Sequence, residues 1–425
     1  MVLAPLRRDR IDAMRELLAT MNVQPGTADP HNKLVPFAGF DNLHFARFVV
    51  LDDQTTGDLR KLYGVNRPEP PTYLAFLGDF DGSYEAFIES LVKTAGPGLR
   101  TVFALCEGFA PDTDLRTWII AHEHRAATYY RNWVGRTVLQ TREEECLRLA
   151  LLACLKQTPE LTEKPATIIH DSLRRFVQEE RKAGRLKLTP PAPTPVTWTL
   201  RHLLDWLVLV LVIVTIPLTI VPLLLVVLRV RLLENSDPVY APHPQPDCDA
   251  ALADLEDRGV TNQFSAMGTL KPGVTRALVV RLALWIVDLT ARTIYTTGRL
   301  ARVHTIHFAR WVFLDNGTRI LFASNYDGSL ESYMDDFINK VGFGLNVVFS
   351  NGVGYPHTEW LLLKGSKDEQ LFKYYLRRHQ LPTEVWYNAH SGLTALDLDR
   401  NSQIRRGLEQ SVLNESEAQE WLALL

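Results

Sequence analysis

Two segments of the chain share nearly the same order of apolar and polar positions. Residues 43–53 read LHFARFVVLDD, and residues 306–316 read IHFARWVFLDN. Short runs of aromatic and β-branched residues such as these predict strands that are buried on both faces. The similarity continues without a gap between 72–109 and 318–355, where 12 of 38 positions are identical. The chain therefore contains a duplicated unit.

Within the second copy, the spacing of apolar residues changes from that of strands to that of helices. Residues 306–314 and 320–325 predict two strands joined by a turn at 316–318. An apolar stripe over 330–341 predicts a helix, which Asp327 or Ser329 can cap. Further on we expect strands at 345–350, 360–363 and 384–390, a helix at 368–379 and a closing helix. From Ile320 onward this gives the order β-α-β-β-α-β of ferredoxin-like folds.

A ferredoxin-like sheet carries helices on one face and needs a cover for the other. In a duplicated chain, the sheet of the second copy can supply that cover. We therefore predict an α+β fold of two tandem ferredoxin-like domains, whose sheets can face each other as an intramolecular α+β barrel. The first copy has an additional loop at 54–71, which we expect on the surface.

An apolar segment separates the two copies. Asp205 is the one charged residue between 203 and 228, and this length is sufficient to cross a bilayer core about 30 Å thick. Pro217 and Pro222 each remove a backbone donor and favour a bend. We therefore predict a re-entrant hairpin that leaves both domains on the cytoplasmic side of the cell membrane, with a single span as the alternative.

A second apolar segment, 274–295, differs from the first because it carries charged residues. Arg281, Asp288 and Arg292 fall on one side of a helix, and apolar residues cover most of the remainder. This pattern is typical of a helix in the membrane interface, and equally of a helix packed on its own domain.

Composition sets the domain boundaries. Residues 1–21 predict a charged amphipathic helix and lack the apolar run of a signal peptide. The expected segments are an N-terminal ferredoxin-like domain with helical extensions (1–187), a Pro-rich linker (188–202), a membrane segment (203–232), a Pro-rich loop (233–272), an amphipathic interfacial helix (273–298) and a C-terminal ferredoxin-like domain (299–425).

The net charge of -3 and the lack of a Lys/Arg tract argue against a nucleic-acid partner. The partners expected instead are the lipid bilayer and a hydrophobic small molecule or a protein. The four cysteines lie far apart without a CxxC motif, so we expect reduced thiols rather than a disulfide framework or a zinc site.

The duplicated strands carry the residues with the most evident chemistry. Arg47 and Arg310 lie on strands expected to be buried, and a buried arginine requires a carboxylate partner. They are interpreted as members of structural ion pairs or of a site for an anionic ligand. The nearest acidic candidates are Asp81, Glu85, Asp327 and Glu331.

Histidines give weaker signals. By strict alternation His44 and His307 lie on the strand face opposite to the arginines, so a histidine and an arginine would not share one site. His122 and His124 could bind a metal ion if a third ligand were available. The sequence provides no evident third ligand, and we predict no metal site.

Several long phrases carry a resemblance to known proteins. IHFARWVFLDN, SNYDGSLESYMDDFINKVGFGLNVVFSNGVGYP and LRRHQLPTEVWYNAHSGLTALDL resemble a widespread bacterial family, over about Pro272 to Leu424. That family implies no chemistry. The most economical prediction is therefore a membrane-attached ligand-binding or scaffold module without a cofactor.

More loosely, the paired layout is similar to the dimeric α+β barrel superfamily, which includes haem-binding dye-decolourising peroxidases and chlorite dismutases. The peroxidases carry a G-x-x-D-G motif with a catalytic aspartate, and residues 78–82 match it with Asp81. The second copy, 324–328, lacks the first glycine. This resemblance implies a haem peroxidase as the alternative function, with His44 and His307 as candidate haem ligands.

Overall fold

The computed structural model describes residues 1–240, 246–410 and 413–425. Within them the strands are β1 (Val2–Leu6), β2 (Asn22–Gln24), β3 (Thr27–Ala28), β4 (Leu43–Leu51), β5 (Thr72–Phe80), β6 (Thr128–Arg131), β7 (Thr261–Thr269), β8 (Ile306–Leu314), β9 (Arg319–Asp327), β10 (Thr358–Glu359), β11 (Leu363–Lys364) and β12 (Val385–Asn388). The helices are α1 (Ile11–Ala19), α2 (Asp58–Tyr63), α3 (Tyr84–Phe103), α4 (Leu115–Ala121), α5 (Val138–Gln157), α6 (Ala166–Lys182), α7 (Val196–Ser236), α8 (Pro246–Ala253), α9 (Val274–Thr293), α10 (Leu330–Phe349), α11 (Glu369–His379), α12 (Ala395–Glu409) and α13 (Glu415–Leu422).

Two four-stranded antiparallel sheets form the centre of the molecule. Their strand orders are β1-β5-β4-β12 and β6-β8-β9-β7. Each sheet contains one strand from the other half of the chain, because β12 pairs with β4 and β6 pairs with β8. The two halves therefore exchange their last strands.

The residues that precede each exchanged strand pair with the first strand of their own half. Bridges join Val2 to Glu123 and Ala266 to Gln380. The backbone N–H of Leu381 also donates to the Ser265 carbonyl at 2.8 Å. These bridges connect the two sheets at both edges, so the eight central strands form a closed ring.

Apolar side chains fill the space between the sheets and cover their outer faces. The inner cluster draws on both halves of the chain and consists of Leu3, Val49, Leu51, Ala75, Leu77, Met267, Val312, Leu314, Leu321, Ala323 and Leu381. Helices α1, α3 and α4 cover the first sheet, and α9, α10 and α11 cover the second. Helices α5, α6, α12 and α13 pack in a separate cluster.

The element order is repeated, but two predicted strands are wrong. Residues 345–349 continue α10, because Leu345, Val348 and Phe349 keep the helical spacing that faces the sheet, and Ser350 follows its last residue. Residues 360–362 form the turn between the short strands β10 and β11, and Leu363 is the first residue of β11. The second copy instead obtains its first strand and helix from β7 and α9, which precede the HFAR segment.

Several boundaries also differ from those expected. The range 233–272, expected as a Pro-rich loop, contains the end of α7, α8 and the fully buried strand β7. The helix predicted over residues 1–21 is a strand, β1, followed by α1. Part of the predicted loop, 241–245, lies outside the described residues.

Helix α7 is continuous over 41 residues and passes through Pro217 and Pro222. Among the described residues it is the one helix long and apolar enough to cross a membrane. The predicted hairpin is therefore not formed, since each proline removes one backbone hydrogen bond without ending the helix.

Candidate functional site

Arg47 lies between the two sheets with 3% of its surface exposed. Its Nη1 donates to the Phe264 carbonyl at 2.9 Å and to Ser265 Oγ at 3.0 Å. Its Nη2 donates to the Ser324 carbonyl at 2.8 Å and to the side-chain oxygen of Asn325. All four acceptors belong to the other half of the chain, so this arginine joins the halves without a carboxylate partner.

Arg310 occupies the equivalent position in the second half and has a different partner. Its guanidinium donates to the carboxylate of Asp79. Asp79 also accepts hydrogen bonds from Tyr129 Oη at 2.7 Å and from Asn325 Nδ2 at 3.1 Å. Since Asn325 also accepts from Arg47, one continuous network links the two arginines across the barrel.

This network differs from the predicted ion pairs. Neither arginine contacts Asp81, Glu85, Asp327 or Glu331; Arg310 pairs instead with Asp79 of the other sheet. Burial lowers the pKa of both guanidinium groups to about 9, which leaves them charged at neutral pH. The network thus contains two buried positive charges and one carboxylate, which Arg310 contacts directly and to which Arg47 is connected only through Asn325. Asp79 and Asn325 occupy equivalent positions in the ungapped match, which was the available signal in the sequence.

Asp81 and Asp327 have a different role. Asp81 accepts from His44 Nε2 at 3.0 Å and from the backbone N–H of Val138, the first residue of α5, at 2.8 Å. It therefore joins strand β4 to the start of the helix that follows the exchanged strand β6. A carboxylate at a helix N-terminus is also favoured by the helix dipole.

The second half repeats this arrangement. Asp327 accepts from His307 Nε2 at 2.7 Å and from the backbone N–H of Ala395, the first residue of α12, at 2.7 Å. Glu85 is exposed, and Glu331 is an exposed partner of Lys373. The two aspartates thus have structural roles, Asp327 as a buried group and Asp81 as a partly buried one, whereas the two glutamates lie on the surface.

The orientation of the two histidines was predicted wrongly. The strand register shifts between Leu43 and Phe45, and the equivalent shift occurs in β8. Such a bulge interrupts strict alternation. The His44 ring lies 5.6 Å from the Phe308 ring of the opposite sheet, whereas Ala46 belongs to the core under the helices. His44 and Arg47 therefore both face the space between the sheets.

His390 completes this end of the barrel and was not identified from the sequence. Its Nε2 lies 2.9 Å from His44 Nδ1, and its Nδ1 lies 3.2 Å from Thr141 Oγ1. Burial, followed by the charge of His44, holds the pKa of His390 well below its usual range. This histidine is therefore neutral at physiological pH.

The residues present do not fit a haem site. Both ring nitrogens of His44 and Nε2 of His307 are hydrogen bonded within the protein. Both carboxylate oxygens of Asp81 are also engaged. Ligation of an iron by His44 would require the loss of its hydrogen bond to Asp81 or of its contact with His390.

The other candidate ligands are dispersed. His122 Nδ1 lies 2.8 Å from the Trp118 carbonyl, and His124 Nδ1 lies 3.3 Å from the His122 carbonyl. Among the described residues, no group of three or more His, Cys, Asp or Glu side chains is arranged to hold a metal ion. Cys106, Cys146 and Cys154 are free thiols, and the side chain of Cys248 lies outside the described part of the chain.

The N-terminal part of α7 is attached to α9. The carboxylate of Asp205 pairs with the guanidinium of Arg292, which also pairs with Asp288 at 2.9 Å. His202 Nδ1 lies 3.1 Å from the Arg292 carbonyl. The charge within the apolar segment is thus neutralised by the helix beside it.

The C-terminal part of α7 is attached to the turn between β10 and β11. Glu234 is 1% exposed, and its carboxylate accepts from Thr358 Oγ1, Trp360 N and Leu361 N at 2.8 to 2.9 Å. Arg231 lies within ion-pair distance, at 3.4 Å. In the sequence, this contact was indicated only by the position of Glu234, two residues after the predicted membrane segment 203–232.

A second contact follows at the end of α7. Asp237 accepts from Arg276 at 2.6 Å and from Lys271 at 2.7 Å. Arg276 is 1% exposed and lies in the first turn of α9. Both ends of α7 are therefore fixed to the same region of the barrel.

The distances along the two helices require α7 to curve. From His202 to Val230, α7 extends about 42 Å, whereas α9 extends only about 20 Å from Arg292 to Val279, at 1.5 Å per residue. Val230 and Val279 belong to one buried cluster. The intervening part of α7 must therefore bow away from α9, and prolines are the usual site of such bends.

The bowed part of α7, residues 210–225, exposes apolar side chains. Leu218 is 80% exposed. The others with 45 to 66% exposure are Val210, Leu211, Ile213, Val214, Ile216, Ile220, Val221, Leu223, Leu224 and Leu225. Contiguous exposed apolar surfaces of this kind are typical of sites that contact a protein, a membrane or a ligand.

In comparisons with known protein families, characterised proteins and solved structures, no match to this chain was found.

Proposed function

We propose that the protein is a membrane-attached ligand-binding or scaffold module, in which two ferredoxin-like repeats share one α+β barrel and α7 is the membrane anchor. The observation that carries this proposal is the attachment of both ends of α7 to one body, with the apolar part 210–225 directed outward. Such a helix can enter a bilayer because its backbone hydrogen bonds are satisfied internally.

The exchanged strands support a topology in which both halves lie on the same side of the membrane. A single span would separate the two ends of α7 by the bilayer, and β6 and β12 could not then join the sheets of the opposite halves. The anchor is therefore monotopic: α7 enters and leaves through one leaflet. The three described free thiols favour the reducing, cytoplasmic side.

A binding or scaffold role is favoured over catalysis because the most reactive side chains already bind one another. Arg310 and Asp79 neutralise each other, and Asp81 and Asp327 each hold a histidine and a helix N-terminus. These contacts support a structural role for the interior. The outer surfaces remain for a protein partner or a hydrophobic small molecule.

Flotation of the purified protein with phospholipid vesicles tests this function. A double variant, Leu218→Glu with Leu225→Glu, places two charges in the bowed part of α7, each opposing insertion by about 3 kcal/mol. The matched control is Leu139→Glu with Leu149→Glu, because these leucines are also exposed, at 44% and 53%, but lie on α5.

The wild-type protein and the α5 control should float with the vesicles, and the α7 variant should remain in the dense fraction with an unchanged circular dichroism spectrum. Flotation of the α7 variant to the same extent as the wild-type protein would disprove the assignment of α7 as the anchor.

A further inference from the structure

Helix α9 has a second apolar face that the barrel does not cover. One face packs on the second sheet through Val280, Ala283 and Leu284. The opposite face exposes five apolar side chains at helical spacing, which are Val274 (86%), Leu278 (54%), Leu282 (43%), Trp285 (41%) and Ile286 (42%). A surface helix in water normally carries polar residues on that face.

The segment 360–363, which consists of the turn between β10 and β11 and the first residue of β11, also exposes apolar side chains. Trp360, Leu362 and Leu363 are 44%, 46% and 49% exposed. Trp360 and Leu361 have φ angles of 56° and 61°, in the left-handed region that residues other than glycine rarely adopt. The bonds from their backbone N–H groups to Glu234 stabilise this turn, so its apolar tip is held in a fixed position.

The two exposed surfaces adjoin α7. Val230 of α7, Val279 of α9 and Leu361 of the turn form one small buried cluster, and the exposed side chains of Leu278, Trp360 and Leu362 are next to its members along the chain. The Arg231 guanidinium lies 5.8 Å from the centre of the Trp360 ring. The outer face of α9, the turn 360–363 and the apolar part of α7 are therefore parts of one continuous surface.

We infer that the outer face of α9 and the turn 360–363 dock onto the phospholipid leaflet that α7 enters, at the boundary between headgroups and acyl chains. This inference rests on the proposed membrane attachment. Three observations favour a bilayer as the occupant: continuity with α7, tryptophans on both docking elements, and exposed cationic residues, Arg201 and Arg229, at the ends of the apolar segment. Tryptophan and cationic side chains are enriched at this depth.

Docking through three elements fixes the orientation of the barrel. An anchor that touched the membrane through the bowed part of α7 alone would allow the barrel to tilt on its two attachments. With α9 lying in the leaflet surface, the second sheet is held parallel to the membrane, one helix layer above it.

Depth-resolved fluorescence quenching tests this inference on the full-length protein. Single cysteines replace Leu282 on α9 and Leu362 in the turn, in a background without the native cysteines, and each is labelled with an environment-sensitive fluorophore. Leu218 on α7 serves as the reference inside the membrane, and Leu149 on α5 serves as the exposed control. The vesicles contain phosphatidylcholine and phosphatidylglycerol, with nitroxide groups at shallow or deep positions.

On addition of vesicles, labels at 282 and 362 should shift to shorter emission wavelength, become protected from iodide and be quenched most by the shallow nitroxide. The label at 218 should be quenched most by the deep nitroxide, and the label at 149 should not change. If the label at 218 enters the lipid while the labels at 282 and 362 stay accessible to iodide, the docking inference is wrong, whereas the proposal that α7 is the membrane anchor is supported.

Two further outcomes would also overturn the inference. If no label enters the lipid, both the docking surface and the proposed anchor fail. If labels at 282 and 362 become protected without vesicles, and to an extent that rises with protein concentration, the surface binds a second copy of the chain rather than a membrane.

Discussion

The two halves of the barrel repeat one set of contacts and differ in another. Both place an arginine between the sheets, at Arg47 and Arg310. Both also place a histidine at the end of a helix, where its Nδ1 lies 2.8 Å from a backbone carbonyl, at His122 and His379. The contacts present twice are those that hold the sheets, the exchanged strands and the helices together.

The differences concern the outer surface and the charge of the interior. The first helix of the first half, α1, has 9 residues, whereas its counterpart α9 has 20 and exposes an apolar face. Asp79 of the first half is replaced by Asn325 in the second. The barrel is thus maintained by what the halves share, whereas the exposed apolar face of α9 is a feature that only the second half carries among the described residues.

The largest expected effect on stability comes from replacing the two buried arginines one at a time. Arg310→Ala leaves the buried carboxylate of Asp79 without its cation and should destabilise the protein by about 3 to 5 kcal/mol. Arg47→Ala leaves neutral carbonyl and amide oxygens unsatisfied and should cost about 1 to 3 kcal/mol. Thermal or urea unfolding in detergent measures both. A larger loss of stability for Arg47→Ala than for Arg310→Ala would contradict a network in which only Arg310 contacts the carboxylate.

A smaller difference is expected between the two aspartates that bind histidine and a helix N-terminus. Asp327→Asn places an NH₂ group opposite a donor and should destabilise the protein by about 1 to 3 kcal/mol. Asp81→Asn should cost less, because the side chain of Asp81 is 22% exposed and that of Asp327 is 7% exposed. Equal losses in unfolding experiments would show that exposure does not distinguish the two sites.

The smallest expected effect is a dependence on pH that arises from Glu384, a residue of the second half without an acidic counterpart in the first. Glu384, whose counterpart is Ala127, is buried, and burial raises the pKa of its carboxyl group from 4.5 to about 7. Between these values the unfolded chain loses a proton that the folded chain retains, so stability falls as pH rises. Glu384→Gln keeps an acceptor for the Val50 N–H, which lies 2.9 Å away.

Melting temperatures of the wild-type protein and of Glu384→Gln, measured between pH 5 and pH 8, provide the test. The wild-type protein should lose more stability over this range than the variant. Parallel curves would mean that Glu384 ionises in the folded protein as it does in the unfolded chain.

The sequence predicted the helix of 330–341, with Asp327 or Ser329 as its cap, and the helix of 368–379; the structure contains both helices, with Ser329 as the cap of the first. These features depend on local spacing and capping, which a short window of sequence contains. Strands at 345–350 and 360–363 were predicted wrongly because short apolar runs fit either a strand or a buried helix.

The candidate site was predicted less well than the fold. Arg47 and Arg310 were identified, but their partners are contributed by the opposite half, at distances of more than 200 residues along the chain. His44 was assigned to the wrong face because a bulge is not evident from alternation alone. Contacts across exchanged strands depend on which strands pair with each other. The spacing of residues along the chain does not specify that pairing.

The central claim is that the halves share one barrel and therefore lie on the same side of the membrane. The direct measurement is alkylation by a membrane-impermeant maleimide in sealed vesicles that contain the reconstituted protein in one orientation. One variant retains only Cys146, which is exposed in the first half; another has its only cysteine at Leu396→Cys, where the native side chain is 61% exposed in the second half. Both cysteines should be labelled, or both protected until the vesicles are opened with detergent. Labelling of one and protection of the other would contradict the shared barrel and indicate that α7 spans the membrane.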